Sequence, residues 1–270
     1  MSGHFAALDA LDFPAFAPGS VWLVGAGPGA PGLLSLLGYY ALGQADVIVY
    51  DALVSPKLLA LAHPAAEQIY AGKRGGKPSE KQADISLRLV ELARAGKRVL
   101  RLKGGDPFMF GRGAEECATL VAHGVRFRIV PGITAGIGGL AYAGIPATSR
   151  DTNHAVIFLT GHDETGGIPA AVDWAAVANA APVIVMYMAV KHLDSIAQKL
   201  LAAGRPPSDA VTVVMQASLP DQRVVTGTLG AVADIADALA APAIVVLGPV
   251  GPLRADLDWY VETLRENAFG

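Results

Sequence analysis

Val99-Leu100-Arg101-Leu102-Lys103-Gly104-Gly105-Asp106-Pro107-Phe108-Met109-Phe110-Gly111-Arg112-Gly113-Ala114-Glu115-Glu116 reads as strand, loop and helix start in one line. An apolar run breaks at a glycine pair. An acid, a proline and two aromatics follow, and a helix opens around Arg112 and Glu115. A plain connection needs only one or two turn residues, whereas this one holds four glycines interleaved with charged and apolar side chains. Glycine lets a ligand approach the backbone closely, so the composition marks a binding loop.

Working outward, the same alternation recurs. Val21–Val24 reads as a buried strand running into Gly25-Ala26-Gly27-Pro28-Gly29-Ala30-Pro31-Gly32, then a helix over 33–42. Val47–Tyr50 is a second strand ending on Asp51. Ser55-Pro56 opens a short helix, with serine at the cap and proline in the first turn. Gln68–Tyr70 is a weak strand leading into Gly72-Lys73-Arg74-Gly75-Gly76-Lys77-Pro78. Ser79 and Gln82 form a capping-box pattern for a helix over 79–95, stopped by Gly96, with Ile85, Leu89 and Leu92 on one face. The loop above follows the strand 97–102 and feeds a helix over 113–123. Val125–Val130 then ends at Pro131-Gly132-Ile133-Thr134-Ala135-Gly136. Repeated strand–helix alternation means a mostly parallel sheet with helices on its faces. Ligands then sit beyond the carboxyl ends of the strands.

Pro146–Asn153 reads as an interdomain connection. Beyond it, strands are expected at 156–160, 183–188, 211–216, 223–228 and 244–247, and helices at 173–179, 192–203 and 229–239. The strands at 211 and 223 are close enough in sequence to form an antiparallel hairpin, so the second half is a mixed α/β sheet. The expected organisation is an N-terminal extension (1–19), two α/β domains (20–145 and 146–260) and a short tail (261–270).

Composition narrows the function. Of the 270 residues, 52% are hydrophobic and 17% charged, which supplies a sizeable core and argues against disorder. A formal charge of −3 offers no general basic field, so nucleic acid is not an expected partner. The single cysteine, Cys117, excludes an internal disulfide and a cysteine-based zinc site. The histidines are scattered without ligand spacing, and no metal is expected. No run reaches a membrane span, and the first nineteen residues, without Lys or Arg, do not read as a secretory signal; a cytoplasmic protein is expected. Ser149 and Ser218 lack a nucleophile-elbow context.

The glycine-rich motifs leave alternatives. Gly25-x-Gly27-x-x-Ala30 after a strand, with Asp51 downstream, satisfies a relaxed dinucleotide fingerprint. Pro28 and Pro31 weigh against it, because phosphate is held by free backbone N–H groups and each proline removes one. Lys73 and Arg74 form a cationic spot that is either a solvated turn or a grip for an anionic substrate. Arg101, Lys103 and Arg112 are candidates to extend it. Thr134 is placed as a helix N-cap and as a pocket wall.

Taken together, Val24–Gly29, Val49-Tyr50-Asp51-x-Leu53-Val54-Ser55, Gly72-Lys73-Arg74, Arg101–Glu116, Pro131–Ala135, Gly144-Ile145-Pro146 and Thr160-Gly161-His162 resemble the tetrapyrrole methylase family over about residues 21–260. The form of Lys103–Gly113 is similar to the branch that acts on uroporphyrinogen III rather than on a later corrin intermediate such as precorrin-4. The resemblance implies two α/β domains with the active site in the interdomain cleft, usually in a homodimer. It implies methylation of uroporphyrinogen III at C2 and C7 by S-adenosyl-L-methionine, giving precorrin-2 via precorrin-1 and two S-adenosyl-L-homocysteine. Precorrin-2 serves sirohaem, cobalamin or haem d1 synthesis. By motif, Pro28, Gly104, Gly105, Asp106, Met109, Thr134, Ala135, Met188, Ala217 and Ala243 correspond to cofactor-binding positions. Asp51 and Lys73 correspond to the proton acceptor and donor, and Lys73, Arg74, Arg112 and Glu115 to the substrate side, with Arg112 also counted among the catalytic group. Relatives are often fused to a dehydrogenase–ferrochelatase module, for which 270 residues leave no room, so a stand-alone methylase is expected. A nicotinamide-dependent dehydrogenase and a non-catalytic S-adenosylhomocysteine binder are the competing classes.

Overall fold

The computed structural model describes residues 11–72 and 82–260. The chain divides into two compact units, one comprising the residues to Gly27 with Pro31–Ile133, the other Pro28–Ala30 with Thr134 onward.

The first unit is a five-stranded sheet in the order β3-β2-β4-β1-β5, every pairing parallel. Its strands are β1 (Ser20–Gly25), β2 (Val47–Tyr50), β3 (Glu67–Tyr70), β4 (Arg98–Lys103) and β5 (Arg126–Val130). Alternate residues of β1 serve opposite faces, as the period of two requires. Trp22 and Val24 join Ile48, Leu100 and Leu102 in one core, and Val21 and Leu23 join Val47, Val49 and Val99 in the other. The first core takes side chains from α1 (Leu36–Gln44) and α2 (Pro56–Leu59); the second takes them from α3 (Gln82–Arg94) and α4 (Gly113–Ala122).

Local signals explain the element ends. Ser55 caps α2 by accepting from the Lys57 N–H, with Pro56 in the first turn. The helix expected from residue 33 begins instead at Leu36, because Pro31–Leu33 forms a separate 3₁₀ turn and Ser35 caps α1 by accepting the Gly38 N–H. The capping-box serine, Ser79, lies outside the described residues.

The second unit is a mixed sheet in the order β6-β7-β10-β8-β9. Its strands are β6 (Val156–Thr160), β7 (Val183–Tyr187), β8 (Ala210–Met215), β9 (Arg223–Thr228) and β10 (Ala243–Leu247). Strands β6 and β7 are parallel, and β8–β9 is the expected antiparallel hairpin. Helices α6 (Trp174–Ala180) and α7 (Leu193–Ala202) cover one face. Residues 229–238 form a kinked 3₁₀ segment rather than an α-helix, broken where Ala231 leaves helical geometry.

The boundary expected at residue 145 falls instead after Ile133. The reason is α5 (Ala135–Tyr142), which packs on β7 and β10 of the second sheet. A helix follows the surface that buries it, and proximity in sequence to β5 does not decide that.

Asp46 joins the α1–β2 connection to β4. Its carboxylate receives the Arg98 guanidinium at 2.7 and 3.1 Å and the Arg98 N–H at 2.8 Å. The Arg98 side-chain hydrogen bonds pull its pKa down to about 2. A carboxyl depressed on folding stabilises the fold above its ordinary pKa and loses that contribution as pH falls through the depressed value. With both partners about a third exposed, solvent screening limits the effect to about 1 kcal/mol. Asp46→Asn is therefore expected to lower stability by about that amount at neutral pH, with the gap to wild type closing as urea unfolding is repeated from pH 4 down to pH 2.

Candidate active site

In the first unit the chemistry-bearing residues gather at the carboxyl ends of β1, β2, β4 and β5. The strand-end loops meet backbone to backbone. The Gly27 N–H donates to the Gly105 carbonyl at 3.1 Å and the Gly105 N–H returns to Gly27 at 2.7 Å. A Cβ on Gly25 would lie 2.5 Å from the Gly132 nitrogen and 2.6 Å from the Gly105 oxygen, and one on Gly132 would collide with Gly105. Only glycine allows this approach.

Two carboxylates lock the junction. Asp106 accepts the Gly132 N–H at 2.9 Å and the Phe108 N–H at 2.7 Å. Asp51 accepts the Gly104 N–H at 3.2 Å and the Leu53 N–H at 3.0 Å. Asp51, Gly104, Gly105 and Asp106 are thus brought together. Met109 follows in the same loop, its N–H on the Asp106 carbonyl. Phe108 and Phe110 stand exposed beside it.

Arg112 starts α4 in left-handed backbone, φ 59°. Its guanidinium grips the Glu115 carboxylate through two nitrogens, at 3.0 and 2.7 Å, on the exposed surface. This hydrogen-bonded guanidinium holds the Glu115 carboxyl below its ordinary pKa. Lys73 and Arg74 lie outside the described residues.

Arg101 and Lys103 do not extend a surface patch. Both are buried with Glu116, whose side chain is wholly buried. One carboxylate oxygen of Glu116 takes Arg101 Nε at 3.0 Å, Lys103 Nζ at 3.2 Å and Gln82 Nε2 at 2.9 Å. Arg101 also reaches the Val49 and Leu102 carbonyls at the ends of β2 and β4. Burial pushes the Lys103 ammonium below its usual pKa, aided by neighbouring Arg101 and opposed by Glu116 and Asp51. The cluster sets the ends of β2 and β4 against α4, just beneath Gly104.

The second unit gathers a different set. The Tyr187 hydroxyl, at the end of β7, lies 2.8 Å from Thr134 Oγ1 and accepts the Gly136 N–H at 2.9 Å. Thr134 occupies the N-cap position of α5 but makes no side-chain cap bond; the expected capping role passes to Tyr187. Met188 follows in left-handed backbone, φ 53°, and is 42% exposed. His162 Nδ1 donates to the Met188 carbonyl at 3.2 Å, which gives the Thr160-Gly161-His162 motif a supporting task. Gln216 and Ser218, flanking Ala217 at the end of β8, are also left-handed. Buried Ser218 accepts the Ala30 N–H at 2.9 Å, fixing the loop that carries Pro28. Ala243 opens β10 opposite Met215, at that same edge. In this unit the left-handed non-glycine residues all follow strand ends, which makes that edge a candidate site. Sequence reading missed Tyr187, whose only mark was its place before Met188.

The geometry bears on the dinucleotide question. The Ala26 N–H donates to the Lys103 carbonyl and the Gly27 N–H to Gly105, Ala30 is held by Ser218, and Pro28 and Pro31 have no N–H. Ser35 caps the following helix. Three of the loop's N–H groups are thus committed within the protein and two are replaced by proline, which weighs against a phosphate cradle here.

Glu116→Ala leaves two buried cations without their carboxylate and is expected to cost about 3–5 kcal/mol in chemical denaturation. Unchanged stability would remove the cluster's structural role.

Residues 20–233 match the family model for Tetrapyrrole (Corrin/Porphyrin) Methylases. The chain is 64% identical over 248 residues to a uroporphyrinogen-III C-methyltransferase of Sinorhizobium sp., spanning 91% of this chain and 89% of that protein. It is 44% identical to a siroheme synthase of Neisseria meningitidis, covering 93% of this chain but about half, 51%, of the relative. A crystal structure of the Thermus thermophilus uroporphyrin-III C-methyltransferase with S-adenosyl homocysteine superposes with a TM-score of 0.77 at 40% identity, covering 87% of this chain and 99% of that one. The chain belongs to the tetrapyrrole methylase family.

Proposed function

We propose that the chain methylates uroporphyrinogen III at C2 and C7 with S-adenosyl-L-methionine, giving precorrin-2 via precorrin-1 and two S-adenosyl-L-homocysteine. What carries this reading is the 64% identity, across nearly the whole of both chains, to a uroporphyrinogen-III C-methyltransferase. The product belongs to sirohaem and cobalamin-related tetrapyrrole synthesis. We also take the protein to be a cytoplasmic homodimer, the family's usual assembly; no helix among the described residues is long and apolar enough to cross a membrane.

The residues present fit the cofactor. A sulfonium ligand needs neutral polar contacts and apolar walls rather than a phosphate cradle. By motif, backbone at Gly104 and Gly105 and the Met109 side chain are assigned to it in the first unit, and Pro28, the Thr134 hydroxyl, Ala135, Met188, Ala217 and Ala243 in the second; these are groups of that chemistry. When bound, the cofactor supplies an electrophilic methyl group. The protein's task is then alignment and exclusion of water, and alignment alone supplies several kcal/mol. Asp106, also assigned to the cofactor by motif, holds the Gly132 and Phe108 amides.

Methylation of a pyrrole carbon requires a proton to leave the macrocycle, so one positioned base is useful. Asp51 is our candidate: two backbone N–H groups orient its carboxylate. Lys73 is the candidate donor, from its motif alone. The substrate bears eight carboxylates, and Lys73, Arg74 and Arg112 are assigned to them. Glu115 holds the Arg112 fork in a fixed orientation until substrate competes for it.

Incubating the purified protein with uroporphyrinogen III and S-adenosylmethionine under anaerobic conditions is expected to give a product two methyl groups heavier by mass spectrometry. Absence of dimethylated product sinks the reading. Arg112→Ala is expected to raise the KM for uroporphyrinogen III about 10-fold or more, the loss of a charge-assisted contact. The S-adenosylhomocysteine Kd should stay within about 2-fold of wild type; a parallel loss of both contradicts the substrate-side assignment.

A further inference from the structure

A threonine at a helix N-cap normally turns its hydroxyl inward, accepting an N–H of the first turn. Thr134 sits at that position, φ −70° and ψ 146°, yet makes no such bond. The acceptor for the first-turn N–H of Gly136 is the Tyr187 hydroxyl, delivered from β7 at 2.9 Å. This arrangement requires glycine at 136, because a Cβ there would collide with the phenol oxygen. The chain thus carries both a tyrosine and an obligatory glycine to do what Thr134 could do alone. The outcome is a half-buried threonine hydroxyl released from capping and held 2.8 Å from the tyrosine.

Hydrogen-bond chemistry favours one direction for that contact. The Gly136 N–H can only donate, so the phenol oxygen accepts there. A phenol is a stronger donor and a weaker acceptor than an aliphatic alcohol. Either hydroxyl can donate across the 2.8 Å pair, and this difference favours the direction from the phenol O–H to Thr134 Oγ1, in which each bond in the chain N–H···O–H···O strengthens the next. Thr134 then has its own O–H left to donate away from the tyrosine. Without the phenol, the hydroxyl regains the freedom to rotate and to turn back onto the helix.

We propose that Tyr187 is a positioning residue that commits the Thr134 hydroxyl to donating toward an acceptor atom of S-adenosylmethionine; the inference rests on the methylase reading above. Tyr187 also precedes Met188, so the same anchored strand end places a hydroxyl donor and a thioether wall side by side.

Titration calorimetry with S-adenosylhomocysteine on wild type, Thr134→Val, Tyr187→Phe and the double variant tests this. Thr134→Val and Tyr187→Phe are each expected to weaken binding about 10-fold, the worth of one hydrogen bond. The double variant should be no weaker than Thr134→Val alone, because Tyr187 acts through that hydroxyl. Turnover at saturating cofactor should change far less than the cofactor KM. A merely structural tyrosine lowers Tm and leaves the Kd unmoved, which overturns the proposal, as do additive losses in the double variant. Loss in Thr134→Val with full binding in Tyr187→Phe rejects the tyrosine's role and keeps the threonine contact; full binding in Thr134→Val rejects that contact itself. Wild type that binds no S-adenosylhomocysteine rejects the methylase reading as a whole. Should Tyr187→Phe not fold, Thr134→Ser decides: retained affinity beside the Val loss supports a committed hydroxyl, and equal loss overturns it.

Discussion

The approach of three backbones at Gly25, Gly105 and Gly132 is the constraint on which the first unit depends. Parallel strands bring their carboxyl ends to one edge, and side chains there would ordinarily hold successive loops apart. Here the loops after β1, β4 and β5 touch through peptide groups, and a methyl group on Gly25 or Gly132 would part them. Contact at that distance makes the loops hydrogen-bond one another, through the paired Gly27 and Gly105 amides. The carboxylates of Asp51 and Asp106 then satisfy the next amides in line. A rim tied this densely is preorganised, and little ordering remains to be done when a ligand arrives.

The same constraint explains why the most familiar-looking motif plays a supporting part. The first glycine loop resembles a nucleotide-binding turn, but its Ala26 and Gly27 amides are taken up by the strand end and loop after β4. Its proline segment, Pro28–Ala30, groups with the second unit, anchored on Ser218. The loop that opens after Lys103 is the one that carries charge, glycine and exposed aromatics together. Beneath it lie Arg101, Lys103 and Glu116. Replacing a buried ionic cluster by apolar side chains of equal volume often costs no stability, which makes fixing geometry the candidate use of this one. It aligns two strand ends with the helix that carries Arg112 and Glu115.

The two units differ in their chemistry. The rim of the first is rich in carboxylates and guanidinium. The rim of the second is built from hydroxyls, thioethers and alanines, with left-handed backbone at Met188, Gln216 and Ser218. An anionic macrocycle suits the first kind of surface.

The strands of both sheets, the hairpin of β8 and β9, and caps such as Ser55 were legible in the sequence, because hydrophobic period and cap chemistry act over a few residues. So was the family, carried by motifs dense enough to be recognised without contacts. Arg101, Lys103, Thr134 and Tyr187 were not legible in the same way. A lysine in a strand is equally consistent with a surface cation and with a buried ion pair until α4 lays Glu116 against it. A threonine before a helix looks like its cap until a tyrosine some fifty residues later takes the role. The helix over 135–142 follows β5 in sequence and packs on the other sheet. The sequence by itself determined the elements, the glycine positions and the kinds of chemical group available. The tertiary structure decided which of those groups are buried, which are paired and which are left to meet a ligand, because burial and pairing depend on residues far apart in the chain.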